Sequence, residues 1–289
     1  MGIKALIYNA AAVKGKTVII TGASDGIGAA AARALHGLEA NVVIVGRSPD
    51  KTKGIAEEIG VPYYVADFSR FEDVRNLAAR IKQDHDHIDI LANNAGGVMG
   101  VHRELTVDGN EMTVQVDHLS PFLLTHLLMD ILIASRATII NTASAANRFS
   151  GTLDVDDMKL DHGYGRFSAY GKAKLMNILF TKELVTRFGE KGVHAVSFHP
   201  GVVATNFSAS SGGFVGFFYK SVLNRFLLSP AEGADTLVWL AVSWPGVDWT
   251  SGEYYTKRKI YKANSQAYDS KLAHDLWEAS LTLVGARSG

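Results

Sequence analysis

TVIITGASDGIG (17–28) is the stretch whose reading decides the fold. The run TVIIT has the β-branched content of a buried strand, and the alanine-rich segment opening at Gly26 has helical composition. Between them stands G-x-x-x-G-x-G, whose glycines let the backbone turn tightly and come close to a ligand. A pyrophosphate suits such a place, because a helix N-terminus presents unpaired N–H groups and the positive end of its dipole. A glycine cluster alone says little. Flanked by a strand before and a helix after, it points to the first half of a dinucleotide-binding unit.

The alternation continues outward from this unit. VVIVG (42–46), YYVA (63–66), IDILANNAG (88–96), ATIINTAS (137–144) and VHAVSFHPG (193–201) read as strands, with a last short strand near 252–256. Helical periodicity falls near 51–59, 71–84, 104–134, 168–188, 231–243 and 265–284. Strand then helix, repeated, gives a parallel sheet covered on both faces. Right-handed crossovers wind it into an α/β fold, a Rossmann-type doubly wound, mostly parallel sheet of about seven strands with helices on both faces. No low-complexity block marks a linker, so one domain spanning 1–289 is expected. Two long connections, 145–166 and 206–229, fall at the carboxyl ends of strands, where such sheets bind ligands. The second carries Phe207, Phe214, Phe217, Phe218, Tyr219 and Phe226 and reads as a lid over an apolar substrate, the alternative being a surface patch for a partner or membrane.

Composition narrows the partners. Lys plus Arg equals Asp plus Glu at 29 each, so no net field favours nucleic acid, an anionic membrane or an acidic substrate. With no cysteine there is no disulfide, no thiolate nucleophile and no cysteine-ligated metal. DHDHID (84–89) sets His85 and His87 among aspartates, but in a helix-to-strand loop this is a solvated charge cluster, and no metal site is expected. The N-terminal MGIKALIYNAAAVKGK lacks the apolar core of a signal peptide. PFLLTHLLMDILIA (121–134) is too short to span a bilayer and is interrupted by His126 and Asp130, which read as a polar helix face. A cytoplasmic protein without stable membrane insertion is expected.

Chemistry-bearing residues gather at the strand ends. After the second strand stand Gly46, Arg47 and Ser48, where an acid for a ribose 2′-hydroxyl is missing. Arg47, helped by Ser48 and Lys51, suits a 2′-phosphate, which favours NADP(H) over NAD(H). Asp67 follows the third strand and is placed to meet an adenine edge. NNAG (93–96) ends the fourth with a backbone able to turn close to a ligand. In YGKAK (170–174), Tyr170 and Lys174 lie one helical turn apart, so an ammonium sits beside a phenol and favours its phenolate. A phenol must be brought down from a pKa of about 10 to exchange a proton with an alcohol or carbonyl oxygen near neutral pH. Ser144, after the fifth strand, can donate to that same oxygen. His199 reads as a structural residue at a strand end.

VDHLSPF (116–122) places a proline inside a long helical stretch. Pro121 cannot donate to the carbonyl four residues earlier, so the Asp117 oxygen is expected to lack its helix partner.

TGASDGIG, NNAG, Ser144, Tyr170-x-x-x-Lys174 and His199-Pro200-Gly201 with Thr205, in this order and at these intervals, resemble the short-chain dehydrogenase/reductase family. SPAEGADTLVWLA (229–241), SGEYYTKRK (251–259) and a final helix with LWE (276–278) resemble its retinol-dehydrogenase-like branch. The resemblance covers nearly the whole chain. It implies Tyr170 as general acid/base, Lys174 as the group that lowers its pKa and holds the nicotinamide ribose, and Ser144 as the residue orienting the substrate oxygen. Asp117 falls on the fourth catalytic position, where the family normally has Asn and uses that residue's carbonyl to hold a water. For the cofactor, the resemblance implies Gly22, Ser24, Asp25, Gly26, Ile27 and Gly28 at the pyrophosphate and ribose, and Arg47 with Ser48 at the 2′-phosphate. It implies Asp67 and Phe68 at the adenine, Asn93, Ala95 and Gly96 near the adenine ribose, and Pro200, Gly201, Val203 and Thr205 at the nicotinamide.

The expected activity is NADP(H)-dependent hydride transfer interconverting a carbonyl and an alcohol on an apolar small molecule. The alternatives are a carbon–carbon double-bond reductase on the same scaffold and a catalytically silent NADP(H)-binding sensor, the latter resting on Asp117. Ser144 and Tyr170 are 26 residues apart, about twice the interval in many relatives but similar to the retinol-dehydrogenase-like branch, so 145–166 should bulge out and leave the pair in place. The 104–134 and 168–188 segments build a four-helix dimer interface in many relatives, so a homodimer or homotetramer is expected.

Overall fold

Neighbouring residues of each central strand enter opposite cores, which is why the strands read as unbroken apolar runs. In β1 (Thr17–Thr21), Ile19 faces one core while Val18 and Ile20 face the other. In β2 (Asn41–Gly46), Val43 and Val45 are divided from Val42 and Ile44 in the same way. Each such isoleucine or valine removed from water contributes about 1.5–3 kcal/mol. A one-residue slip would exchange the two sets.

The computed structural model describes residues 10–202 and 228–286. Its sheet runs in the order β3-β2-β1-β4-β5-β6-β7-β8, with β3 (Tyr63–Val65), β4 (Ile90–Asn93), β5 (Thr138–Thr142), β6 (His194–His199) and β7 (Tyr254–Thr256) parallel to β1 and β2. Among the described residues the sheet has 8 strands where about seven were expected; the addition is β8 (Lys259–Ile260), an antiparallel edge hairpin on β7. Two residues in TKRKIYK leave no apolar alternation to detect. The doubly wound class holds, and its switch point lies between β1 and β4.

Helix α1 (Gly26–Gly37) and the late helix α8 (Pro230–Ala241) cover one face, with Leu35 and Leu237 fully buried between them and the sheet. Helix α2 (Pro49–Ile59) adds Ala56 on the same side. Helices α3 (Phe71–Asp84) and α7 (Arg166–Phe188) cover the other. Between these two, the segment expected as one helix over 104–134 is divided. A single α turn, α4 (Met112–Val114), runs into a π-helical turn (Gln115–Leu119), then α5 (Ser120–Leu127), then α6 (Met129–Ala134). The π turn is closed by the Ser120 N–H, which reaches back five residues to the Gln115 carbonyl. Its position just before Pro121 fits the local loss of a donor, and such turns recur at functional sites.

The last helix, α9 (Ser270–Leu283), packs across both α5 and α7. Trp277 lies 4.9 Å from Phe122 and 5.9 Å from Phe180, centroid to centroid. The two segments that the resemblance assigns to a dimer interface are thus partly covered by the chain's own C-terminal helix. Among the described residues, no helix is long and apolar enough to cross a membrane.

Candidate active site

At the switch point, the β1–α1 turn and the loop after β4 approach each other through glycine. Gly22 has φ +67°, and a Cβ there would sit 2.7 Å from the Ala95 Cα; one at Gly28 would sit 2.3 Å from the Gly22 carbonyl oxygen. Neither position tolerates a side chain. Thr21 and Asn94 stitch the two loops: the Thr21 hydroxyl accepts the N–H groups of Asn94 and Ala95 at 3.0 Å each, and the Asn94 amide donates to the Thr21 carbonyl at 3.0 Å.

Beside this seam opens a cavity of ≈ 310 Å³ whose walls include Gly22, Ser24, Gly46, Arg47, Asp67, Phe68, Ala95 and Gly96. The fold thus brings together most of the positions expected at the cofactor. Gly97, Val98, Met99 and Val116 also line it and were not anticipated, since a bare GGVM carries no polar signal. Arg47 is exposed at its rim. Other expected positions sit around the cavity without lining it. Asp25 caps α1 by accepting the Gly26 N–H at 2.8 Å and pairs with Lys51 at 3.4 Å; Ser48 caps α2; Ile27 packs into the core. Asn93 is buried and donates to Asn141 (2.9 Å) and Thr125 (3.0 Å), so its side chain ties β4 to β5 and α5. Pro200 and Gly201 follow β6, with Gly201 at φ +88°. Val203, Thr205 and the lid expected near 206–229, apart from its last two residues, lie outside the described residues. His199 is half-buried, its Nδ1 has no hydrogen-bond partner among the described residues, and burial lowers it to about 4, so it is neutral at physiological pH.

The second half of the site is carried by α7. Gly171 lets this helix press against the loop after β5: a Cβ there would lie 2.7 Å from the Ala146 carbonyl oxygen. The approach brings Tyr170 to Ser144, and the two side chains are hydrogen-bonded. Ser144 also caps the 3₁₀ turn Ala145–Phe149 by accepting the Ala146 N–H at 3.2 Å. The 26-residue interval does leave the pair in place, yet 145–166 is not a loose bulge. Leu153, Met158 and Leu160 from it are buried in the core, and Ser168 ties its two ends by donating to the Ser150 carbonyl at 3.2 Å. Gly171→Ala is therefore expected to cost about 1–3 kcal/mol through overpacking. A displacement of Tyr170 by about 1 Å would also lower kcat/KM roughly a hundredfold. Denaturant melts and steady-state kinetics check both; wild-type values would mean the contact yields freely.

One turn on, the Lys174 ammonium stands 5.3 Å from the Tyr170 ring centroid and is 2% exposed. Its partners are the Thr142 carbonyl at 3.4 Å and the Asp117 carboxylate at 3.0 Å. Burial alone would lower the ammonium, but Asp117 and then Tyr170 hold it above the usual lysine value. For Tyr170 the balance opposes the sequence expectation. Burial pushes the phenol above its ordinary value; Lys174 and the Ser144 hydrogen bond pull it down, while Asp117 pushes it up.

The Asp117 carbonyl, expected to be free, is instead bonded by the Asn177 amide at 2.9 Å, which also donates to the Thr142 carbonyl at 3.1 Å. Asn177 is backed by His118 Nδ1 at 3.2 Å, and His118 Nε2 by the Ser280 hydroxyl at 3.0 Å, so α9 reaches into the site. Asn177 was legible in principle. It lies three residues after Lys174, on the same helical face.

A phenol hydrogen-bonded to a serine, next to a buried ammonium and a glycine-lined cavity at a switch point, can hold a dinucleotide and pass a proton. The family model described as short chain dehydrogenase matches residues 16–213. A protein of Streptomyces sp. (strain C5) named "Putative daunorubicin C-13 ketoreductase DnrU" is 40% identical over 278 residues, covering 94% of this chain and 93% of that protein. Retinol dehydrogenase 13 of Homo sapiens is 35% identical over 287 residues, covering 95% of this chain and 86% of that protein. Among solved structures, an uncharacterised protein from Mycobacterium Paratuberculosis superposes with a TM-score of 0.75 at 26% identity, covering 96% of this chain and 97% of that one.

Proposed function

The chain belongs to the short-chain dehydrogenase family, in its retinol-dehydrogenase-like branch, and from that premise we propose that it reduces and reforms a carbonyl on an apolar small molecule with NADP(H), using Tyr170 as the acid/base. The observation that carries this reading is the joining of Ser144, Tyr170 and Lys174, with the Lys174 ammonium close behind Gly96 in the wall of the glycine-lined cavity. The cavity fits a dinucleotide: Gly22, Gly46 and Gly96 give it walls without side chains, and Arg47 and Asp67 line it as well.

When bound, the nicotinamide supplies or accepts the hydride. Everything else falls to the chain. Ser144 orients the substrate oxygen, and the Tyr170 phenol gives that oxygen its proton during reduction or withdraws it during oxidation. Lys174, bonded to Thr142 and Asp117, is held where it can take a ribose hydroxyl and stabilise the phenolate once formed. The apolar substrate is favoured by the wall residues Val98, Met99 and Val116 and by the aromatic content of 206–229.

The reading is tested by a panel of aldehydes, ketones and alcohols with NADPH and NADH. Turnover of a carbonyl in the panel with NADPH preferred is the expected result, and preference for NADH would sink the role given to Arg47. Arg47→Ala should weaken NADPH binding about ten- to a hundredfold, the loss of a charge-assisted hydrogen bond, with NADH binding unchanged. Equal losses for both cofactors would place Arg47 elsewhere in recognition.

A further inference from the structure

We propose that the Asp117 carboxylate is the internal counter-ion of Lys174, a positioning residue that keeps Tyr170 a neutral phenol across the neutral pH range and so favours reduction over oxidation there. The inference rests on the acid/base role given above to Tyr170. Asp117 is fully buried, one carboxylate oxygen 3.0 Å from the Lys174 ammonium and the other accepting the Gly97 N–H at 2.7 Å. Both neighbours are donors. A carboxylate offers an acceptor to each, whereas an amide must turn its NH₂ toward one of them. Gly96, at φ +154°, clears the space: a Cβ there would lie 2.7 Å from Asp117 Oδ1 and 3.1 Å from Lys174 Nζ.

The consequence is electrostatic. A lone ammonium beside Tyr170 would act on the phenol as an unbalanced positive charge; with a carboxylate on it, the phenol feels a buried pair whose net charge is zero. The same carboxylate, being negative, directly opposes a phenolate. The other ionisable groups facing this cluster do not replace it. Glu111, the cap of α4, is buried and held above the usual carboxylate value by burial, with Asp117 adding to it; burial and the Lys174 charge keep His118 neutral; Tyr254 faces Tyr170 as a phenol. In reduction, hydride bonds to the carbonyl carbon while Tyr170 gives its proton to the carbonyl oxygen, and the phenolate left behind recovers a proton from solvent. A phenol that stays protonated at neutral pH is ready for that direction. Oxidation needs the phenolate and starts only at alkaline pH.

The test reads Tyr170 itself, in the cofactor-free protein, as the difference between wild-type and Tyr170→Phe ultraviolet tyrosinate titrations. In wild type the Tyr170 midpoint is expected above the ordinary value of about 10. In Asp117→Asn, against Asp117→Asn/Tyr170→Phe, it is expected about one to three pH units lower. The pH profile for alcohol oxidation should move down by the same amount, with less change in KM than in the profile's midpoint. A wild-type midpoint near neutrality overturns the proposal even if Asp117→Asn fails to fold. An unshifted midpoint in a folded Asp117→Asn overturns it as well. Undiminished turnover by Tyr170→Phe would instead remove the acid/base reading beneath it.

Discussion

Tyr170→Phe should lower kcat by about 10²–10⁴-fold in both directions while leaving NADPH affinity nearly unchanged. The substitution removes one oxygen and little else. The ring keeps its place over Lys174, 5.3 Å from the ammonium, and Gly171 still holds the helix against the 144–150 loop. What disappears is the hydroxyl beside Ser144. The Ser144 hydroxyl cannot substitute, because a serine alcohol is far less acidic than a phenol and this one already accepts the Ala146 N–H. Single-turnover reduction in the presence of saturating NADPH, alongside fluorescence titration of the cofactor, separates the two effects. Loss of NADPH binding in parallel with kcat would show that the hydroxyl supports the fold of the site, and retained turnover would show that another group moves the proton.

The parts of this site that were readable in the chain are those written locally. TVIITGASDGIG specifies strand, turn and helix within twelve consecutive residues, and the glycines in it stand where a Cβ has no room. Tyr170 and Lys174 are legible because a helix fixes their spacing. The residues that escaped are joined across the chain. His118 meets Ser280 over 162 positions and Asn177 meets Asp117 over 60, and no window of sequence contains both ends. Pro121 did mark an irregularity in the helix, but the bond that satisfies the freed carbonyl comes from a different element, so the proline predicted a vacancy that α7 fills. The same holds for the 145–166 connection. Its Leu153, Met158 and Leu160 show no period, because each enters the core from an irregular backbone.

The Asp117–Lys174 pair also sets the largest expected stability effect. Lys174→Met leaves a fully buried carboxylate whose remaining strong partner among the described residues is the Gly97 N–H, and breaking a buried pair from one side costs about 3–5 kcal/mol. The sign with pH follows from the direction in which Asp117 moves. Burial pushes its carboxyl up, and in the variant the opposing ammonium is gone. A group whose folded pKa lies above its unfolded value of about 3.9 is harmless below that value and destabilises as pH rises through the folded pKa. The gap between variant and wild type should therefore be small near pH 4 and widen as pH rises. Adding Asp117→Asn to Lys174→Met removes the stranded charge and should restore a large part of the loss at neutral pH, though not activity, since the phenolate would still lack its stabilising ammonium. Urea melts of the three variants across this pH range measure the pattern. A Lys174→Met protein that loses under about 1 kcal/mol, with no dependence on pH, would mean that Asp117 is held neutral in the wild type. The ammonium would then act on Tyr170 unopposed.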